Sequence, residues 1–215
     1  MCAVAGLPQD LVGLCGLSGR GLRSAIGSLG FVLGGFLVDA GRVPGTESGL
    51  GALAARQDFP EEWPIVLARA GSQPGMSGKP EQGVFDALGN PSEEDHRRDR
   101  LCRIALLGVL PALIQKDHAS FGQALGEFNQ VAWEPFAAWQ GGDHLRGSAP
   151  WLEYCRREKV FGVGQSSWGP TLFAVASGWD QAQYLEKAWV EKGFGTIDQI
   201  RIVKARNQGA KLKTI

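Results

Sequence analysis

Residues 160–177 read VFGVGQSSWGPTLFAVAS, and this stretch decides the fold. Two short apolar runs, Val160–Val163 and Leu172–Ser177, flank a loop made of Gly164, Gln165, Ser166, Ser167, Trp168, Gly169, Pro170 and Thr171. Short apolar runs bounded by turn formers predict strands. The glycines at 162, 164 and 169 let backbone approach a ligand with no Cβ in the way, and successive N–H groups in such a turn make a nest for anionic oxygens. Two hydroxyls and a carboxamide add neutral donors, an inventory that suits a phosphate or pyrophosphate. The alternative is a tight connection in which Ser and Thr only cap.

Working outward, Trp151–Lys159 and Gln181–Lys192 carry helical spacing, with Gly193 ending the second. Ile197–Ala205 reads as a closing strand followed by a basic, frayed tail. Upstream, Leu101–Lys116 predicts a helix kinked at Pro111, and Phe121–Trp139 a second one interrupted by Pro135. Trp63–Ala70 is an apolar strand, and Gly71–Pro80 is a loop dense in turn formers. Arg20–Gly30 suits an amphipathic helix opened by a glycine-rich turn. Phe31–Asp39 reads as a strand broken at Gly34 and Gly35, with a short helix expected near Leu50–Arg56. Helices on an antiparallel sheet make the class α+β. The domain boundary falls just before Trp63, giving units 1–60 and 61–215.

The second candidate site is Gly19–Gly27, where Arg20, Arg23 and Ser24 stand at a helix start. Planar guanidinium forks, free backbone donors and the positive end of the dipole all favour an anion there. An ordinary capped surface helix is the other reading. Asp39 could act as a base or metal-binding carboxylate, or only as a strand-end turn residue. His96, His118 and His144 are read as solvated surface, since none has a nucleophile nearby in sequence. The Trp and Phe stripe from Phe121 to Trp139 is read as core, with presentation of an aromatic face to a ring substrate by Trp133, Trp139 and Trp168 as the alternative.

Bulk properties narrow the classes. Lys+Arg and Asp+Glu number 22 each in 215 residues, so no global field draws the chain to nucleic acid or an anionic membrane. Cys2, Cys15, Cys102 and Cys155 lack metal-ligand spacing, which fits a reduced cytoplasmic compartment. No apolar run approaches the roughly 20 residues of a membrane span.

GRGLRSAIG (19–27), GGFLVDAGR (34–42), FPEEWPIVLAR (59–69), GMSGKPE (75–81), WQGGDHL (139–145) and GVGQSSWGPT (162–171) resemble, in this order, blocks of the beta-ribofuranosylaminobenzene 5'-phosphate synthases of the GHMP kinase superfamily. The resemblance implies a remnant of a GHMP N-terminal domain (ribosomal S5 domain 2-like, 1–60) and a ferredoxin-like α/β sandwich (61–215). It also implies a cytoplasmic transferase joining phosphoribosyl pyrophosphate to 4-aminobenzoate or 4-hydroxybenzoate, with loss of CO2 and pyrophosphate, in tetrahydromethanopterin synthesis. Arg20, Arg23 and Ser24 would bind phosphate or carboxylate; Gly162, Gly164, Gln165, Ser166 and Ser167 would bind phosphate. No cofactor is implied beyond Mg2+ as an assistant, and a homodimer is the implied assembly. The family's glycine- and serine-rich second motif is not found in this chain, so that Met1 falls partway through the N-terminal domain, either because the start is called too late or because the chain is a truncated copy. An ATP-dependent small-molecule kinase and a non-catalytic remnant are the alternative readings.

Overall fold

The computed structural model describes residues 11–18, 20–21, 24–41, 50–69, 75–76, 78–88, 96–140 and 148–211. Two compact units divide the chain: Met1–Phe59 with Ala205–Ile215, and Pro60–Lys204.

The first unit contains α1 (Leu11–Ser18), α2 (Ile26–Leu33), β1 (Phe36–Asp39) and β2 (Leu53–Gln57). Phe31–Leu33 were expected in a strand but finish α2. The helix stops because Gly34 and Gly35 both take positive φ (64° and 81°), which turns the chain before β1 begins. The helix expected near Leu50–Arg56 is instead β2, paired antiparallel with β1 from Phe36↔Gln57 to Asp39↔Leu53. Small residues there leave local propensity weak, and the partner strand decides.

The tail expected to fray is bonded to this unit. Gly35 N–H donates to the Arg206 carbonyl (2.7 Å) and Ala210 N–H to that of Phe31 (2.7 Å). A Cβ on Gly209 would collide with the Val32 carbonyl, so only glycine lets the tail lie this close. Asn207 clasps Phe59 from both sides, accepting from its N–H (2.7 Å) and donating to its carbonyl (2.9 Å).

In the second unit β3 (Ile65–Arg69) is followed by α3 (Lys79–Leu88) and α4 (Arg97–Ile104). A π-helical turn, Ala105–Val109, leads into α5 (Leu110–Ile114). The irregularity expected at Pro111 thus lies one turn earlier. Pro111 has no N–H to give Leu107 and its ring crowds that carbonyl, while Leu110 N–H reaches back to Ala105. Next come α6 (His118–Trp133), a 3₁₀ turn at Pro135, α7 (Ala137–Gln140) and α8 (Ala149–Arg157). The unit closes with β4 (Val163–Gln165), β5 (Thr171–Val175), α9 (Trp179–Glu191) and β6 (Ile200–Val203). Asp117 caps α6, accepting from Ser120 N–H (3.1 Å) and Oγ (2.6 Å), and these bonds hold its carboxyl below its ordinary value.

The four strands form one antiparallel sheet in the order β4-β5-β3-β6. A β-helices-β-β-helix-β chain in that order is ferredoxin-like, with the first crossover expanded into α3–α8. Val66, Ala68, Leu172 and Ala174 alternate onto one face. They pack with Trp151, Tyr154 and Cys155 of α8, Leu185 and Trp189 of α9, and Ile200. Trp151 and Trp189 meet edge-on at 5.0 Å, about 0.5–1.5 kcal/mol beyond simple burial. The opposite face, carrying Gly164 and Phe173, receives α6.

His118, expected on the surface, is half-buried. Its ring stands edge-on to Trp63 at 5.2 Å and Nε2 lies 2.9 Å from the Val175 carbonyl.

Burial pushes the Cys155 thiol up to about 12. Burial, followed by the Tyr184 hydroxyl, does the same for Tyr154. Below the ordinary values of 9.0 and 10.0 both states keep these protons and nothing changes. Above them the unfolded chain releases protons that the folded chain retains, so stability falls as pH rises toward 12. Thermal melts from about pH 8.5 to 10.5 are expected to show a falling Tm, less so in Cys155→Ala after correction for its own baseline. Replacing Asn207 with Ala removes both bonds to Phe59. It should cost about 1–3 kcal/mol, read as faster amide exchange at Phe36–Asp39 with β3 and β5 unaffected.

Candidate functional site

In the first unit the sequence-predicted anion site has an internal occupant. Asp39, at the end of β1, directs Oδ2 at the start of α2, accepting from Ala25 N–H (2.7 Å) and Ser24 Oγ (3.1 Å). Its Oδ1 accepts from Gly41 N–H (2.8 Å), and a Cβ on Gly51 would sit 2.6 Å from that oxygen. The positive end of α2 is therefore met by a carboxylate from the neighbouring strand. Asp39 and Ser24, predicted separately, are brought into one hydrogen-bonded pair. Arg20 is exposed, and its Nη2 is 3.6 Å from where a Cβ on Gly27 would stand. Arg23 lies outside the described residues.

In the second unit the predicted loop is the hairpin joining β4 to β5. Strand β4 occupies Val163–Gln165 rather than Val160–Val163, because Gly162, at φ 67°, turns the chain into it. Gly162 and Gly164 serve packing. Gly162 N–H donates to the Gly122 carbonyl of α6 (3.1 Å), and a Cβ on Gly164 would come within 3 Å of Phe173 and Asn129. Gln165, 2% exposed, aims its amide inward, donating to the Ser167 carbonyl (2.8 Å) and to Gln140 Oε1 (3.3 Å).

The turn itself is Ser166–Gly169. Gly169 N–H donates to the Ser166 carbonyl (2.9 Å), Ser166 N–H to the Thr171 carbonyl (2.8 Å), and Ser167 takes φ 51°. Gly169–Pro170 is a cis peptide. Both serine side chains are exposed, and among the described residues the N–H groups of Ser167 and Trp168 have no hydrogen-bond partner. The tip thus carries two exposed hydroxyls and two backbone donors that no described residue accepts.

Beneath the tip, Trp168 is 4% exposed. It packs edge-on against Trp133 (5.6 Å) and Phe136 (5.2 Å), and Phe85 of α3 meets Phe136 at 5.4 Å. The rings of Trp133 and Trp168 are used on each other, while Trp139 stays exposed. Trp168 Nε1 donates to Glu81 Oε1 at 3.1 Å. Gly75 lies so close to the turn that a Cβ there would meet the Trp168 and Gly169 carbonyls. Gly75 and α3 therefore wall the hairpin, which the sequence reading missed. The 3–4 spacing of Glu81, Val84, Phe85 and Leu88 after Pro80 was the signal for that helix.

A cavity of about 340 Å³ opens elsewhere in this unit, between α6, the end of α8 and the approach to β4.

Residues 109–194 match the family model for the C-terminal domain of GHMP kinases. A beta-ribofuranosylphenol 5'-phosphate synthase of Archaeoglobus fulgidus is 30% identical over 211 residues, covering 92% of this chain and 62% of that protein. One of the same name from Methanothermobacter thermautotrophicus is 29% identical over 180 residues, 75% of this chain and 51% of that protein. The chain thus spans between half and two thirds of these relatives. A homoserine kinase structure from Cytophaga hutchinsonii superposes with a TM-score of 0.54 at 15% identity, covering 85% of this chain and 52% of that one. Over these spans the chain is similar to the beta-ribofuranosylphenol 5'-phosphate synthases, and its residues 109–194 to the C-terminal domain of GHMP kinases.

Proposed function

We propose that the protein is a phosphoribosyl-type transferase, joining phosphoribosyl pyrophosphate to an aromatic carboxylate with release of CO2 and pyrophosphate, in tetrahydromethanopterin synthesis. The observation that carries the reading is the hairpin tip, whose two hydroxyls and two N–H groups, unpartnered among the described residues, sit on an aromatic base, together with the name borne by the relatives. A ribofuranosylphenol phosphate is what 4-hydroxybenzoate would yield on losing its carboxylate, so 4-hydroxybenzoate is favoured over 4-aminobenzoate as acceptor.

Such a reaction needs fixed donors for a phosphate or leaving pyrophosphate, stabilisation of a cation-like ribosyl carbon, and an apolar slot that favours loss of a carboxylate. Ser166, Ser167 and the turn amides supply donors of the first kind. Gln165, Gly162 and Gly164 act beneath them by holding the turn and the strand. Mg2+ would enter as the complex of the donor's pyrophosphate, whose phosphate oxygens are the ligands it usually keeps in such sites. Among the described residues no helix is long and apolar enough to cross a membrane. The partners are small molecules, in a cytoplasmic protein that pairs as a homodimer.

The decisive assay incubates this chain, and a form extended upstream in its gene, with phosphoribosyl pyrophosphate and carboxyl-labelled 4-hydroxybenzoate or 4-aminobenzoate. Release of labelled CO2 by the extended form is expected. Its absence there, with ATP turnover on a small alcohol, would move the assignment to a GHMP-type kinase; absence of both activities would leave a non-catalytic remnant. In an active form, Ser166→Ala and Ser167→Gly should raise KM for the ribosyl donor about tenfold each, on the order of one charge-assisted hydrogen bond. Ser167→Gly should leave Tm equal or higher, since glycine relieves the positive φ.

A further inference from the structure

The cavity between α6 and the α8–β4 connection ends at Val163, the first residue of β4, and is lined by none of Ser166, Ser167 or Trp168. Two residue choices on its walls run against what the local backbone favours. Gly126 stands in the middle of α6, where alanine is the better helix former. No close packing demands it, because a Cβ there would meet nothing within 4 Å. Across the cavity, Lys159 takes φ 54°. It follows α8 in the position where Val160 N–H reaches back to the Cys155 carbonyl (2.8 Å) and Lys159 N–H to that of Arg156 (3.1 Å). Glycine is the usual residue there. So a glycine sits where a side chain is favoured and a lysine where glycine is favoured, and both line one space.

Lys116 offers the contrast. It has the same left-handed backbone, φ 56°, and its ammonium is held by Glu62 at 2.7 Å. Lys159 has no such partner among the described residues. Of the other charges on the walls, Arg156 is bonded to Glu153 (2.6 Å) and Glu127 to Arg100 (2.8 Å), so among the described residues the Lys159 ammonium is the unpaired charge of this lining. Leu152, Val160, Phe161 and Val163 supply apolar surface, and the carboxamides of Gln123 and Gln130 stand opposite on α6.

We propose that this groove binds a small organic anion with a flat apolar body, its charged group on Lys159 and its body over Gly126. The volume is within the range of small-molecule sites, and the glycine notch supplies the depth a planar body needs. The inference does not rest on the transferase reading.

The test uses the full chain and 2-naphthoate as probe, with 2-naphthol as its neutral counterpart, followed by amide NMR shifts. Saturable shifts at Gly126, Gln130 and Lys159 are expected with the naphthoate, and affinity about tenfold weaker with the naphthol, the loss of one favourable ion contact. Gly126→Leu and Lys159→Gly each restore a residue the backbone favours, so both should fold with Tm unchanged or raised while binding falls at least about tenfold. Equal binding of the neutral probe, wild-type affinity in either variant, or no saturable shift at millimolar probe would overturn the proposal.

Discussion

Two glycines allow the backbone of α6 to touch the backbone that leads into β4. Gly162 N–H reaches the Gly122 carbonyl at 3.1 Å, and a Cβ on Gly122 would meet Phe161 and the Gly162 nitrogen at less than 3 Å. A helix normally stands off a sheet by the thickness of its side chains; here that spacer is absent. The approach carries several consequences down the chain. It sets Phe121 against Trp63 at 5.3 Å and brings Asn129 against Gly164. It also fixes where β4 starts, and therefore which side of the sheet Gln165 faces. One turn further along α6 the same smallness, at Gly126, no longer meets anything, and the gap becomes the groove.

Because β4 is registered from its first residue, the hairpin beyond it is built from below. The Gln165 amide ties to the Ser167 carbonyl, Trp168 is wedged among Trp133 and Phe136, and its indole N–H is taken by Glu81. The groups left at the tip are small and polar. This division, in which buried residues hold the backbone and exposed ones offer donors, is what a preorganised anion site requires. It also explains why a tryptophan stands inside a loop otherwise made of small residues: the loop needs an anchor, and a turn of small polar residues has none of its own.

Legibility followed the reach of each signal. The α+β class, the strands around 65–69, 171–175 and 200–203, and the helices at 118–133, 149–157 and 179–191 were readable because apolar period and turn residues agree there. The strand at 53–57 was misread as helix because LAARQ has no β-branched residue, and its conformation comes from pairing with Phe36–Asp39. Phe31–Leu33 read as strand because a Gly34–Gly35 break has the same sequence signature inside a bulged strand as at the end of a helix. The roles of the hairpin glycines were legible only as a need for closeness. Sequence could not say that helix α6, forty residues earlier, was the thing approached. The tail at 205–211 looked frayed because its partners, Phe31, Gly35 and Phe59, are more than a hundred residues away.

The two candidate anion sites began as chemically similar patterns, each pairing glycines with hydroxyls, and they end differently. At the start of α2 the donors Ala25 N–H and Ser24 Oγ converge on Asp39. A phosphate placed there would have to displace a carboxylate already bonded to three groups and then tolerate it as a like charge. At the hairpin, the donors of Ser167 and Trp168 have no internal acceptor among the described residues. A donor already satisfied offers little to a ligand, whereas an exposed one on a rigid base gives up only water. Pattern alone cannot separate these cases, because an internal carboxylate and an external phosphate ask for the same residues. The separation comes from where Asp39 falls at the end of its strand, fourteen residues after the helix start that it serves.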